Sequence, residues 1–362
     1  MTILVPLGAV IIGIAALIWG SNFLIDNASI LARRLGVSSL LIGLTVVAFG
    51  TSAPELAASI ASALEGLPDL AMGNVIGSNT ANLALVMAVA GLIYPLTVDR
   101  KLIRRDVIMM LATSILIMVV TWDGSGDGLG RISRLEGFIM VGLLLAYVSM
   151  LIRSDAISSR VGRKDTFSDD IDVDDVDAST SRYVANPVSG NAASTLASSE
   201  DNFLHQPQDN ALWKVISLAL VGIALLVGGA NVLVYGASVL ASQFGISERV
   251  IGVTVVAVGT SLPELASCIA AALKRQADMI VGNLVGSNIF NVLSIIGITS
   301  AIKPLVLVPE SGNVDFWVML GVSALTGGLL VFRPRFGRRH GLTMLSIYSA
   351  YISYIALTRF AG

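Results

Sequence analysis

Long apolar runs alternate with short polar breaks along most of the chain. Runs of about 17 to 25 or more apolar residues, bounded by charges or turn residues, cross the hydrocarbon core of a bilayer as helices. Ten such spans are predicted, near 3–30, 38–63, 69–96, 103–121, 132–152, 212–241, 247–272, 278–302, 314–332 and 341–358. The pattern predicts an all-α integral membrane protein. The first run has no charged leader and no short apolar core before a cleavage site, so it reads as a permanent span. Between spans five and six, residues 153–211 are rich in Ser, Asp and Asn. Such a stretch cannot bury enough apolar surface to order itself. The expected organisation is therefore a five-helix half over 1–152, a disordered acidic cytoplasmic linker over 153–211, and a second five-helix half over 212–362.

The halves are copies. Gly20 to Leu96 aligns without a gap onto Gly229 to Leu305, and about half the positions are identical. The most alike blocks cover about 38–96 and 247–305. Five crossings, an odd number, separate span two from span seven, so the copies run in opposite directions. Two inverted five-helix repeats are expected, related by an axis in the membrane plane.

Each repeat carries one motif that does not belong in an inert span. Gly50-Thr51-Ser52-Ala53-Pro54-Glu55 recurs as Gly259-Thr260-Ser261-Leu262-Pro263-Glu264, and Glu264 follows Glu55 by 209 residues. A proline inside a helix donates no amide and crowds the carbonyl four residues back, so it frees that carbonyl and bends the helix. The carbonyls concerned are those of Gly50 and Gly259. Freed carbonyls, hydroxyls and a carboxylate at one depth are hard oxygen ligands of the kind Ca²⁺ and Na⁺ take. A carboxylate at the centre of a span costs about 2.5 to 3.5 kcal/mol on insertion scales. The alternative, a glutamate paired to a buried base for packing, finds no Lys, Arg or His in the interior of spans two, three, seven or eight.

Spans three and eight add Gly73-Asn74-Val75-Ile76-Gly77-Ser78-Asn79-Thr80-Ala81-Asn82 and Gly282-Asn283-Leu284-Val285-Gly286-Ser287-Asn288-Ile289-Phe290-Asn291. Asn74, Ser78 and Asn82 fall at i, i+4 spacings and form one polar stripe. Gly73 and Gly77 make a small-xxx-small pair that lets a neighbouring backbone come close. The second copy repeats both features. Amides and small residues also glue helices together, and the stripe is expected to serve both purposes.

Composition and charge fit this picture. Hydrophobic residues make up 54%, charged residues 13%, and mean hydropathy is +0.80, far from a soluble domain. A net charge of −2 without a basic patch gives no sign of a nucleic-acid partner. Of the Lys and Arg residues, 18 fall in loops on one side of the ten-span arrangement and 5 on the other. Cytoplasmic loops collect basic residues, so both termini are expected outside the cytoplasm of a multi-pass cell-membrane protein. Cys268, the only cysteine, excludes an internal disulfide and reads as a packing residue. The acidic run Asp169, Asp170, Asp172, Asp174, Asp175 and Asp177 lacks the glycine and terminal glutamate of an EF-hand loop.

The doubled pattern resembles the paired alpha-repeats of the cation/Ca²⁺ exchanger superfamily, above all the prokaryotic sodium/calcium exchangers of ten spans. The resemblance covers both repeats and the span before each. It implies the sodium/calcium exchanger fold and Na⁺/Ca²⁺ antiport by alternating access, with no cofactor and with the bilayer and the two transported ions as partners. It implies Glu55 and Glu264 as bidentate Ca²⁺ ligands beside the carbonyls of Thr51 and Thr260. Na⁺ sites would use the carbonyl of Ala48 with Ser52 and Ser78, and the carbonyl of Ala257 with Ser261 and Ser287. Asn82 and Asn291 would line the central site. Many relatives carry an aspartate at one of those last two positions, whereas this chain has asparagine at both. That leaves two carboxylates and lowers the expectation of K⁺ co-transport.

Three other functions compete. A Ca²⁺/H⁺ exchanger also uses glutamates, but its repeats usually carry a different run ahead of them. A passive channel also uses oxygen rings. An intramembrane hydrolase could use Ser52 or Ser261 as nucleophile but needs a base in reach, and the two histidines, His205 and His340, lie in predicted cytoplasmic segments. No enzyme is expected.

Overall fold

A computed structural model describes residues 3–97, 100–121, 130–165, 211–244, 257–307, 313–333 and 335–360. The described chain is mostly helical. In order the helices are α1 (Leu4–Leu35), α2 (Ser39–Thr51), α3 (Ala53–Leu64), α4 (Pro68–Ile93), α5 (Arg100–Val120), α6 (Arg134–Asp165), α7 (Leu212–Gln243), α8 (Ala257–Thr260), α9 (Leu262–Leu273), α10 (Ala277–Ile302), α11 (Asn313–Phe332) and α12 (Arg338–Phe360). Helix α1 stops where Gly36 turns left-handed (φ 64°) and its N–H reaches back to Ala32 and Arg33. Ser38 then caps α2 by accepting the N–H of Leu41 at 3.1 Å.

Among the described residues, six helices are each long and apolar enough to cross a membrane: α1, α4, α7, α10, the Arg134–Asp155 part of α6, and Val314–Phe332 of α11. The bent pair α2–α3 makes a seventh. Predicted span four falls on the helix α5, which is not among them: Arg100, Lys101, Arg104, Arg105 and Asp106 fill its first turns and shorten its apolar part. Predicted span ten falls on the helix α12, also not among them, where tyrosines and serines dilute the apolar residues. Predicted span seven begins at 247, and its residues 247–256 lie outside the described residues. Helix α6 continues past the predicted end at 152 to Asp165. The rest of the predicted linker, 166–210, with its aspartates and His205, lies outside the described residues.

Helices α4 and α10 form the core. The most apolar stretch of α10 is 100% buried and that of α4 72%, against 28% for α1 and 33% for α7. Outer helices α1 and α7 lie antiparallel along each other, backbone against backbone. A Cβ on Gly20 would fall 2.8 Å from the carbonyl oxygen of Gly222. Close approach also brings α2 to α10, where a Cβ on Gly282 would fall 2.6 Å from the Leu40 carbonyl oxygen. The small-xxx-small pair Gly282 and Gly286 thus receives a neighbouring backbone, as the spacing predicts. For Gly73 and Gly77 the equivalent neighbour, 249–256, lies outside the described residues.

Residues one repeat length apart meet each other. Asn79 Nδ2 donates to the carbonyl of Asn288 at 3.2 Å, and Ser114 Oγ lies 3.5 Å from Ser323 Oγ, each pair 209 residues apart. A point that touches its own equivalent lies on the axis relating the two. The edges repeat as well. Strand β1 (Gly130–Ile132) pairs antiparallel with β2 (Leu305–Leu307), joining Ile132 to Leu305, while Leu96, the equivalent of Leu305, bridges to Phe336 just before α12.

Candidate functional site

The predicted break occurs twice and in the same way. Helix α2 passes through a π-helical turn at Gly43–Val47 and ends at Thr51. Ser52 leaves helical geometry (φ −82°, ψ 5°), and α3 restarts at Ala53 with Pro54 in its first turn, bent by 43° from α2. In the second half Ser261 takes φ −89°, ψ 4°, and Pro263 opens α9. Each proline is followed by its glutamate, so Glu55 and Glu264 both sit in the first turn of a restarted helix, where the helix dipole favours negative charge. Both are fully buried.

The motifs of the two halves interlock. Ser52 Oγ donates to Glu264 Oε1 at 3.2 Å, and Thr51 Oγ1 lies 3.3 Å from Asn283 Oδ1. The same motifs, and the Asn-rich stretches of α4 and α10, carry buried polar atoms with no hydrogen-bond partner among the described residues. They include both oxygens of Glu55, Oε2 of Glu264, the whole amide of Asn82, Oδ1 of Asn291, and the hydroxyls of Ser261 and Ser287. An unsatisfied buried polar atom costs about 1–3 kcal/mol, and folded proteins keep few of them. Three of these are carboxylate oxygens, and with the amide and hydroxyl oxygens they match the donor set of a hard cation.

Ser78 is buried on α4. The carbonyl of Ala48 accepts the N–H of Ser52 at 3.0 Å, with Thr51 Oγ1 at 3.4 Å. Ala257 begins α8, and Thr260 ends it half-buried. A narrow cleft reaches Ser52 past Phe49 and Phe290, whose rings meet edge to face with centroids 6.0 Å apart.

The predicted polar stripe divides by function. Asn74 donates to the carbonyl of Glu55 (3.2 Å) and to Ser59 Oγ (3.0 Å), tying α4 to the glutamate helix. Asn283, its equivalent, donates to Ser267 Oγ (3.2 Å) and to Cys268 Sγ (3.4 Å), and Ser267 Oγ donates to the Glu264 carbonyl at 3.0 Å. Cys268 therefore accepts a hydrogen bond where the first repeat has Ser59, besides packing. Asn82 and Asn291, in contrast, open π-helical turns at Asn82–Val86 and Asn291–Ile296. Such turns re-aim side chains and often mark functional sites.

Sequence reasoning passed over Asn79 and Asn288. They stand off the i, i+4 stripe, and the signal that could have found them is their identity in both copies. It also passed over Asp106 and Asp315, equivalent residues of α5 and α11. Tyr147 OH donates to Asp106 at 3.0 Å, and Tyr351 OH to Asp315 at 2.8 Å, so each acid fastens the last helix of its half. Among the described residues no group of three or more His, Cys, Asp or Glu converges. His340 accepts the Gly337 N–H and lies against the Phe336 ring.

The family model for "Sodium/calcium exchanger protein" matches residues 5–153 and 214–357. The chain is 31% identical over 349 residues to "Inner membrane protein YrbG" of Escherichia coli, covering 95% of each protein. It is 31% identical over 345 residues to "Sodium/calcium exchanger MaX1" of Methanosarcina acetivorans, covering 94% of this chain and 96% of that one. Structures of the sodium-calcium exchanger NCX_Mj superpose with a TM-score of 0.74 at 26% identity, over 97% of this chain and 99% of theirs.

Proposed function

The chain belongs to the sodium/calcium exchanger protein family, and from that membership we propose that this multi-pass membrane protein exchanges Na⁺ for Ca²⁺ by alternating access. The observation that carries the proposal is the cluster of buried oxygens around Glu55 and Glu264 without partners among the described residues. Two carboxylates balance one Ca²⁺ or two Na⁺. The ions then compete for one set of charges, and a site emptied of one is neutralised by the other. Glu55, Glu264 and the carbonyls of Thr51 and Thr260 would hold Ca²⁺, with Asn82 and Asn291 lining the site. Ser52, Ser78 and the Ala48 carbonyl would serve Na⁺ in one half, and Ser261, Ser287 and the Ala257 carbonyl in the other.

The architecture behind this reading is ten spans in two inverted five-helix repeats, 1–152 and 212–362, joined by a cytoplasmic linker. Three observations support it. Equivalent residues meet at Asn79–Asn288 and Ser114–Ser323, the edge pairings recur, and helix ends meet in two separate groups. At one end Ser38 bonds Asp155 and Lys274 bonds Asp26. At the other, Lys303 reaches the Leu64 carbonyl and Arg134 the Ile302 carbonyl. The first group belongs to the side rich in Lys and Arg, which favours a cytoplasmic position for it and an outside position for both termini. The name of the Escherichia coli relative favours the inner membrane.

Proteoliposomes loaded in turn with Na⁺, K⁺ or acid and diluted into ⁴⁵Ca²⁺ test the proposal. Uptake above the external concentration with Na⁺ loading alone supports it. Uptake driven only by the pH gradient points to Ca²⁺/H⁺ exchange, a requirement for K⁺ to K⁺-dependent exchange, and equilibration without any gradient to a channel.

A further inference from the structure

Asn79 and Asn288 are equivalent residues on the axis between the repeats, yet they bond differently. Asn79 Nδ2 crosses to the carbonyl of Asn288 (3.2 Å), and Asn79 Oδ1 accepts Asn291 Nδ2 (3.0 Å). Asn288 Nδ2 turns back to its own helix and donates to the Leu284 carbonyl at 2.7 Å. Its Oδ1, and the whole amide of Asn82, have no partner among the described residues.

The carbonyl partner settles which atom of each amide points where. A carbonyl only accepts, so Asn79 presents nitrogen to Asn288 and oxygen to Asn291. Asn291 must then donate, and its own oxygen is the atom left over in the candidate cation site. The arrangement has a mirror. If Asn288 crossed instead, its nitrogen would reach the Asn79 carbonyl and its oxygen would take Asn82 Nδ2, while Asn79 turned back to Val75. Asn82 would then be held with its oxygen free, and Asn291 released. A second asymmetry follows the same hand, since Ser52 crosses to Glu264 while the Ser261 hydroxyl has no partner among the described residues.

We propose that Asn79 and Asn288 are positioning residues that exchange roles between two states of the protein. Asn79 orients the Asn291 carbonyl oxygen toward the cation in the present state, and Asn288 orients that of Asn82 in the state with the repeats interchanged. The inference rests on the exchange reading for the ion that is oriented, and on the hydrogen bonds alone for the two states. In a chain of inverted repeats, interchanging the conformations of the halves turns a site open to one face into a site open to the other.

The test uses the full-length protein in nanodiscs as wild type, Asn79→Ala and Asn288→Ala, followed by hydrogen–deuterium exchange without Ca²⁺ or Na⁺. Asn79→Ala removes the crossing bond of the present state, so peptides of α2–α3 and of α9 should change protection in opposite directions. Asn288→Ala should reverse both signs. Asn79→Leu and Asn288→Leu, which keep the side-chain volume, serve if the alanine variants insert poorly. In sided vesicles, Asn79→Ala should raise the apparent KM for Ca²⁺ about tenfold on one face and Asn288→Ala on the other, with maximal rates within about twofold. Changes of the same sign in both repeats, or one pattern for both variants, would overturn the exchange of roles. A wild type without Na⁺-driven Ca²⁺ uptake would overturn the functional reading instead, and the exchange measurement would still judge the two states.

Discussion

The hydroxyl of Ser52 donates to Oε1 of Glu264 at 3.2 Å, so a residue of the first repeat holds the acid of the second. The reverse contact, Ser261 to Glu55, is not made; the Ser261 hydroxyl and both Glu55 oxygens have no partner among the described residues. The two carboxylates thus differ in this state although their local sequences match.

That difference predicts unequal serines. Ser52→Ala removes a hydrogen bond to a charged group, worth about 1.5–3 kcal/mol, whereas Ser261→Ala removes a hydroxyl with no such bond. Ca²⁺ titration of the purified protein followed by calorimetry should show Ser52→Ala changing the affinity by about tenfold or more, with a smaller effect for Ser261→Ala. Equal effects would mean that the asymmetry does not persist in solution.

Close helix contacts predict where side chains are refused. Gly282→Leu would drive a Cβ to within 2.6 Å of the Leu40 carbonyl oxygen, and backbone cannot yield as a flexible side chain can. The variant should lose monodispersity in detergent. Gly142→Ala, with nothing within 4 Å of its Cβ among the described residues, should fold normally and gain up to about 1 kcal/mol from better helix propensity. Thermal melts of both variants make the comparison.

The Asp106–Tyr147 contact predicts a stability effect remote from ion binding. Asp106 is fully buried and held by Arg105 (2.7 and 3.0 Å) as well as by Tyr147. Tyr147→Phe removes one of the two donors to Asp106 Oδ1 and leaves Arg105 Nε on it; a hydrogen bond to a charged group is worth about 1.5–3 kcal/mol. The melting temperature should fall while the apparent KM for Ca²⁺ stays within about twofold. A change in KM without loss of stability would place Asp106 in the transport pathway.

Much of this was legible in the sequence because its signals are coarse and doubled. A proline before a glutamate inside an apolar run predicts a disturbed helix and a buried acid; the helix breaks at Ser52 with a bend of 43° and again at Ser261, and Glu55 and Glu264 are both buried. The glycine pair at Gly282 and Gly286 predicts a close neighbour, which is α2. What was not legible depends on which neighbour each polar side chain meets. The stripe Asn74, Ser78, Asn82 runs along regular α-helix up to the π-helical turn that begins at Asn82. Its ends nonetheless differ: Asn74 ties α4 to the glutamate helix, the Asn82 amide has no partner among the described residues, and Asn79, off the stripe, reaches the opposite repeat. Contacts across the axis, such as Asn79 with Asn288, depend on how the halves dock, and no local pattern encodes that. Asp106 and Tyr147 were hidden for a related reason, because their meeting depends on the packing of α5 against α6.

The central claim is that Glu55 and Glu264 together neutralise the transported cation. Removing either charge leaves a buried ion short of compensation, a loss of about 3–5 kcal/mol and therefore of more than about 100-fold in affinity. The most direct measurement is Na⁺-driven ⁴⁵Ca²⁺ uptake by wild type, Glu55→Gln and Glu264→Gln, reconstituted at equal density and checked for monodispersity. The account predicts concentrative uptake by the wild type and none above background by either variant. Uptake at the wild-type rate by either glutamine variant would contradict it.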